Sequence, residues 1–442
     1  MNTTFKRGLR VVLGLAVFGA AVYAGGVAWD LHRTFPEVAS AADAGSAAQI
    51  ARGAYVARTA DCMACHTSVG GKPYAGGYPL DTPFGTILAS NITSDPQHGI
   101  GGWTLARFDR AVRHGQGRHG YLYPAMPYTA YIRMTDTDIA DLWAYMRTVA
   151  PVAQPVVENQ LPFPYNQRWL LGGWNLLYLR SATPAPAPAP AAGAAPQSAA
   201  YLRGAYLVNG PGHCAACHTA KGILGGDSTA FLQGGQLGDW YAPNLTPQAH
   251  LGLGPWTVSD IAAYLKTGAN AYAVASGPMT EAVENSTQYL TDADLNAIGV
   301  YLKSLAALPE QPAPVVRVED SVMRTGKLVY ESQCIACHVS NGKGVRSMIP
   351  GFVHSPVVNA PRADTMVRTV LMGSDGPVTA SNPTGAGMPR FDWRLSDDDV
   401  AAVLTYLRNS WGNSASPVTE TAVHDARAHL KAHAWIGAAE AH

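Results

Sequence analysis

Cys62-Met63-Ala64-Cys65-His66 recurs as Cys214-Ala215-Ala216-Cys217-His218 and again as Cys334-Ile335-Ala336-Cys337-His338. Two thiols at this spacing add to the two vinyl groups of one porphyrin, and the imidazole that follows then lies beneath the iron. The three copies use all six cysteines of the chain. Each therefore reads as a covalent haem c site: Cys62, Cys65, Cys214, Cys217, Cys334 and Cys337 make the thioethers, and His66, His218 and His338 are the proximal ligands. A zinc site would want a second ligand pair at set spacing, and a thioredoxin-like redox pair a βαβ pattern. Neither accompanies any copy.

Ahead of each motif lies a helical segment with Gly-x-Tyr or a relative of it: Arg52-Gly53-Ala54-Tyr55, Arg203-Gly204-Ala205-Tyr206 and Gly326-Lys327-Leu328-Val329-Tyr330. Each unit closes on a helix start signal, Thr135-Asp136-Thr137-Asp138, Thr291-Asp292-Ala293-Asp294 or Ser396-Asp397-Asp398-Asp399, followed by apolar residues at helical period. The hydroxyl caps free backbone N–H groups, and the carboxylates suit the positive end of the helix. Tyr145, Tyr301 and Tyr406 fall at matching places in these last helices. A first helix bearing the haem motif and a last helix crossing it is the plan of a small cytochrome c domain. The expected fold is all-α, with three tandem domains of this type. Units one and two share more: Asn91-x-Thr93 with Trp103-Thr104 matches Asn244-x-Thr246 with Trp256-Thr257, and each Trp-Thr pair opens a helix ending at Gly115 or Gly268. The two tryptophans read as packing against the haem rather than as electron conduits.

A haem that only carries electrons needs both axial positions filled, in such domains usually by a methionine. Met126 in Tyr123-Pro124-Ala125-Met126-Pro127, Met279 in Ser276-Gly277-Pro278-Met279 and Met388 in Gly385-Ala386-Gly387-Met388-Pro389 each sit in a stiffened loop ahead of the last helix. Met134, Met146, Met323, Met366 and Met372 read as gap-filling core residues. Met348, beside Ile349-Pro350-Gly351, rivals Met388.

The chain has 442 residues, 47% of them apolar, with 31 basic and 31 acidic side chains. That length suits several cores, and the balanced charge gives no reason to expect nucleic acid. Lys6, Arg7 and Arg10 precede an uncharged run from Val11 to Trp29, long enough as a helix to span about 28 Å of a bilayer. The basic flank leaves everything after Trp29 outside the cytoplasm. A retained anchor is favoured over a signal peptide, for which Ala24 or the stretch from Ser40 to Ala44 would offer cleavage sites. The expected divisions are 1–30 anchor or signal, 45–180 first domain, 181–198 Pro/Ala linker, 199–308 second domain, 309–319 linker, 320–412 third domain and 413–442 tail. The apolar stretch Trp169 to Leu179, ahead of Arg180, either lies at a membrane or partner surface or wraps back over unit one. The tail, with His424, His429, His433 and Trp435, reads as a solvated amphipathic helix.

With these motifs placed, the chain resembles the trihaem cytochrome c subunits of bacterial membrane-bound dehydrogenases. The likeness is carried by Asp61 to His66, Gly70-Gly71-Lys72-Pro73-Tyr74-Ala75-Gly76-Gly77, Thr82-Pro83-Phe84-Gly85-Thr86-Ile87, Leu122 to Tyr128, Ser276 to Met279 and Asn285 to Thr291. The resemblance implies that three haems accept electrons from a catalytic subunit using pyrroloquinoline quinone, flavin or molybdopterin. They would deliver them to ubiquinone at the periplasmic face of the cytoplasmic membrane. The competing readings are a multihaem enzyme of peroxidase type, which needs an open iron, an electron donor to a terminal oxidase, and a soluble shuttle.

Overall fold

The computed structural model describes residues 3–39, 42–179, 198–306 and 319–432. Arg180, nearly all of the two expected linkers, and His433 and Trp435 of the tail lie outside them. A long first helix, α1 (Thr3–His32), leads into unit one: α2 (Ala47–Thr59), α3 (Cys62–His66), α4 (Leu105–His114), α5 (Tyr128–Tyr131), α6 (Asp136–Met146) and α7 (Leu171–Tyr178). Unit two holds α8 (Ala199–Asn209), α9 (Ala215–His218), α10 (Val258–Thr267), α11 (Pro278–Asn285) and α12 (Asp292–Ser304). Unit three holds α13 (Asp320–Val329), α14 (Ile335–His338), α15 (Asp364–Met372) and α16 (Asp397–Arg408), and α17 (Glu420–Ala432) follows.

The expected caps are in place. Thr135, Thr291 and Ser396 each accept a hydrogen bond from the backbone N–H three residues on. Thr104 and Thr257 do the same for α4 and α10, which end at Gly115 and Gly268 in left-handed conformation. In each unit the first helix crosses the last at its glycine. A Cβ on Gly53 would overlap the Asp141 carbonyl and come 2.8 Å from Tyr145 Cβ. On Gly204 it would overlap the Ala297 carbonyl, with Tyr301 Cβ at 2.8 Å, and on Gly326 the Ala402 carbonyl, with Tyr406 Cβ at 2.7 Å. Around each crossing sits a separate apolar core, built on Ile139 and Met146, on Val208 and Leu295, and on Val400 and Leu404.

Three expectations need correction. The haem motif does not continue the first helix in units one and two: Asp61 and His213 turn the chain at φ 49° and 36°, so α3 and α9 are separate. This swings the cysteines away from a helix whose own face is taken up by the crossing; in unit three a π-helical turn, Tyr330–Cys334, carries the chain through. Secondly, the all-α expectation omits four short antiparallel hairpins among the described residues, the longest of these pairing Pro79–Thr82 with Gly85–Leu88. Gly85, at φ 119°, allows its turn. Thirdly, α17 is docked rather than solvated. Val423 and Leu430 are buried, and Arg427 bonds Asp397 and the carbonyls of Asp392 and Leu395.

The stretch Trp169 to Leu179 wraps back over unit one. On its inner side Asn175 accepts from the Tyr128 hydroxyl at 2.8 Å, whereas Trp169, Leu176 and Leu177 are 52%, 52% and 62% exposed. It also grips α1: the Tyr23 hydroxyl donates to the carbonyls of Trp169 and Leu170 and accepts from the Gly173 N–H. Further along, Asp30 accepts from Gln116 Nε2 (3.0 Å) and the Tyr121 hydroxyl (2.8 Å), and the Phe35 ring stacks on His114.

The crossings give a direct test. Alanine normally improves a helix over glycine by about 1 kcal/mol, but at Gly53 or Gly204 the added methyl meets backbone that cannot yield. Thermal unfolding of Gly53→Ala or Gly204→Ala should show a net loss of about 1–3 kcal/mol; unchanged or raised stability would refute the close crossing.

Candidate haem sites

The three motif histidines share one arrangement. His66 Nδ1 lies 2.7 Å from the Ser90 carbonyl, His218 Nδ1 2.7 Å from that of Pro243, and His338 Nδ1 3.1 Å from that of Pro350. A carbonyl can only accept, so Nδ1 carries the proton and Nε2 keeps its lone pair for a metal. Burial lowers the pKa of all three imidazoles, which favours the neutral form that ligates. The carbonyls are themselves held. Asn91 Oδ1 accepts from the N–H and the hydroxyl of Thr93, and Asn244 Oδ1 accepts from the Thr246 N–H, pinning the turns that carry Ser90 and Pro243. The Asn-x-Thr repeat is visible in the sequence, but its task depends on where the fold brings the neighbouring carbonyl.

Burial also pushes Cys62, Cys65 and Cys214 up to about 12 and Cys334 up to about 11, so the unreacted side chains are neutral thiols. Among the candidate distal ligands, Met126 packs on the unit-one core and lines the same cavity as Cys62, Cys65 and His66. Met279 is half-buried in the first turn of α11. Met388 packs on the unit-three core in a short strand paired with Ser374. Met348 is 56% exposed and only two residues from Pro350, whose carbonyl sits behind His338.

The cavity at these residues measures about 2470 Å³ and is lined by Ala215, Ala216 and Cys217 as well as by the unit-one motif. Two buried groups bear on what the sites hold, Trp103 on the wall of this cavity and Trp256 at the matched position in unit two. The indole N–H groups of Trp103 and Trp256, at matched positions, find no acceptor among the described residues. An unpaired buried N–H costs roughly 1–3 kcal/mol, and the carboxylate side arms of a haem are acceptors of the right charge and size. The residues therefore fit the group, and the packing role expected for the tryptophans gains a polar part. Zinc gains no support: among the described residues no three His, Cys, Asp or Glu side chains gather into a metal-binding set.

Comparison with known proteins agrees with the geometry. The cytochrome c family model matches residues 50–150, 202–306 and 323–411. The chain is 40% identical to the cytochrome c subunit of the quinone alcohol dehydrogenase of Gluconacetobacter polyoxogenes over 409 residues, covering 87% of this chain and 85% of that one. The chain belongs to the cytochrome c subunits of membrane-bound dehydrogenases. It is also 39% identical to the gluconate 2-dehydrogenase cytochrome c subunit of Pantoea cypripedii, covering 86% of this chain and 90% of that one. The fructose dehydrogenase cytochrome subunit of Gluconobacter japonicus is 36% identical, with 86% and 82% covered. Covalently bound haem c and electron transfer come with that membership.

A haem c supplies one-electron carriage. In this cytochrome subunit each motif histidine, oriented by its carbonyl partner, would ligate the iron through Nε2, and a methionine of the same unit would supply the second ligand. Replacing Met388 by alanine should open one iron, seen as carbon monoxide binding to the reduced protein, and lower that haem's potential, because the thioether favours the ferrous state. Met348→Ala should leave both unchanged; the opposite pattern would reassign the unit-three ligand.

Proposed function

We propose that this subunit carries three haem c groups and passes electrons from the catalytic subunit of a periplasmic dehydrogenase to ubiquinone in the cytoplasmic membrane. The first haem is held by Cys62, Cys65, His66 and Met126, the second by Cys214, Cys217, His218 and Met279, and the third by Cys334, Cys337, His338 and Met388. The observation that carries this reading is the thrice-repeated histidine with Nδ1 engaged and Nε2 free, each unit having a methionine ahead of its last helix, Met126 in a loop, Met279 in the first turn of α11 and Met388 in a short strand. Closed irons suit a carrier, whereas a peroxidase-type enzyme needs an open one.

The relatives are subunits of alcohol, gluconate and fructose dehydrogenases, so the partner is a catalytic subunit bearing pyrroloquinoline quinone, flavin or molybdopterin. Helix α1 is the membrane link: Val12–His32 is long and apolar enough to span. Its outer end is built into unit one through Tyr23 and Asp30, which favours a retained segment. Cleavage after Ala24 would discard the Tyr23 contacts, and cleavage near Ala44 would also strip the partner of the Tyr121 hydroxyl. The exposed Trp169, Leu170, Leu176 and Leu177 flank the same helix, and such residues suit the membrane interface.

Removing residues 1–20 behind a cleavable signal keeps Tyr23 and Asp30 but destroys the span. Haem loading should stay intact, while membrane attachment and substrate-dependent ubiquinone reduction fall several-fold. Full attachment with full quinone reduction would show that the segment serves export alone; failure of both forms to reduce quinone beside an active catalytic subunit would point to a terminal oxidase as acceptor.

A further inference from the structure

We infer that units one and two form an isologous pair within one chain, and that Tyr55 and Tyr206 are positioning residues that fix the spacing between the haems of that pair. The inference rests on the haem assignment proposed above. Tyr55 of α2 reaches into unit two, where its hydroxyl donates to Asp294 (2.6 Å) and accepts from the Thr291 N–H (3.1 Å), both at the start of α12. Tyr206 of α8 reaches into unit one, donates to Asp138 and accepts from the Thr135 N–H (3.3 Å), both at the start of α6. The two tyrosines occupy one repeat position, Arg-Gly-Ala-Tyr, and the two Thr-x-x-Asp caps occupy another. A contact from i to j that is returned from the equivalent of i to the equivalent of j is the signature of two-fold symmetry.

The axis runs between the haem motifs. Cys65 and Cys217 line one cavity. The residues that turn the chain into the two motifs lie in the same seam, His213 with its ring 5.7 Å from Tyr131, and Ala60, beside Asp61, accepting from the Tyr131 hydroxyl at 2.7 Å. Further bonds cross from each side: Arg58 stacks on Tyr289 and donates to the Asn285 carbonyl, and Arg133 donates to that of Asn209. Unit three is attached otherwise. Its Tyr330 bonds Val339 of its own unit, and it meets unit two through Thr365 on Tyr241 and the Val378 N–H on Glu284, a heterologous contact. Burial raises the pKa of Tyr55 and Tyr206, so both remain hydrogen-bond donors at neutral pH.

Two haems held close at a fixed angle couple their Soret transitions and give a two-signed circular dichroism band. The intact subunit should show that band. Tyr55→Phe and Tyr206→Phe should each remove a similar share of it, and the double variant most of it, with haem content unchanged. Tyr330→Phe, which removes a tyrosine hydroxyl bonded within unit three, should leave it as it is. If the tyrosine double variant does not accumulate, Asp138→Asn with Asp294→Asn provides the same test from the acceptor side. A full complement of three haems with an unchanged band in the double variant, or equal loss in Tyr330→Phe, would overturn the pairing alone. A haem count below three would instead mark the failure of the haem assignment and take the pairing with it.

Discussion

In each unit the backbone of the first helix touches the backbone of the last, and the haem site depends on that contact. It is possible only because Gly53, Gly204 and Gly326 have no side chain to hold the helices apart. Ordinary helix pairs stand 8–10 Å apart, according to the side chains between them; here a carbonyl oxygen of the last helix takes the place of a Cβ. The crossing gives up side-chain packing at its centre and recovers it on the flanks, where Tyr145, Tyr301 and Tyr406 close over the glycine. With the two helices locked, the end of the first helix has one position, and the Cys-x-x-Cys-His turn that follows it is aimed at a fixed place. The intervening segments then bring a carbonyl behind the histidine and, as proposed, a methionine in front of it.

Much of this was legible in the sequence because it is local. The thiol spacing, the hydroxyl-and-carboxylate starts of the last helices and the Gly-x-Tyr repeat all express constraints that act within one or two helical turns. The turns at Asp61 and His213 were not legible, since neither residue type announces a left-handed conformation as glycine would. Nor were the proximal carbonyls: every residue has one, so Ser90, Pro243 and Pro350 are distinguished only by where the chain brings them. The docking of α17 escaped notice because Arg427 finds its partners across long sequence separations, on Asp397 and on two backbone carbonyls. The grip of Tyr23 on three backbone groups escaped for the same reason.

The proposed path from a water-exposed donor to a lipid-phase acceptor puts different demands on the two ends of the molecule. At the membrane end the protein must expose apolar side chains without collapsing onto them, and α7 does so by turning Asn175 inward to Tyr128 while Leu176 and Leu177 face outward. Within the chain, carriage needs irons whose coordination does not change on reduction. Neutral buried imidazoles and thioethers meet that need better than charged or exchangeable ligands, because neither has to gain or lose a proton when the electron arrives.

Everything proposed for this subunit requires one covalent haem for each Cys-x-x-Cys-His motif, with no cysteine left over. Intact-mass spectrometry of the denatured protein, before and after treatment with a thiol alkylating reagent, tests it most directly. The expected result is the polypeptide mass plus three haems, unchanged by the reagent. A mass corresponding to fewer haems, or the addition of alkyl groups in pairs, would contradict it.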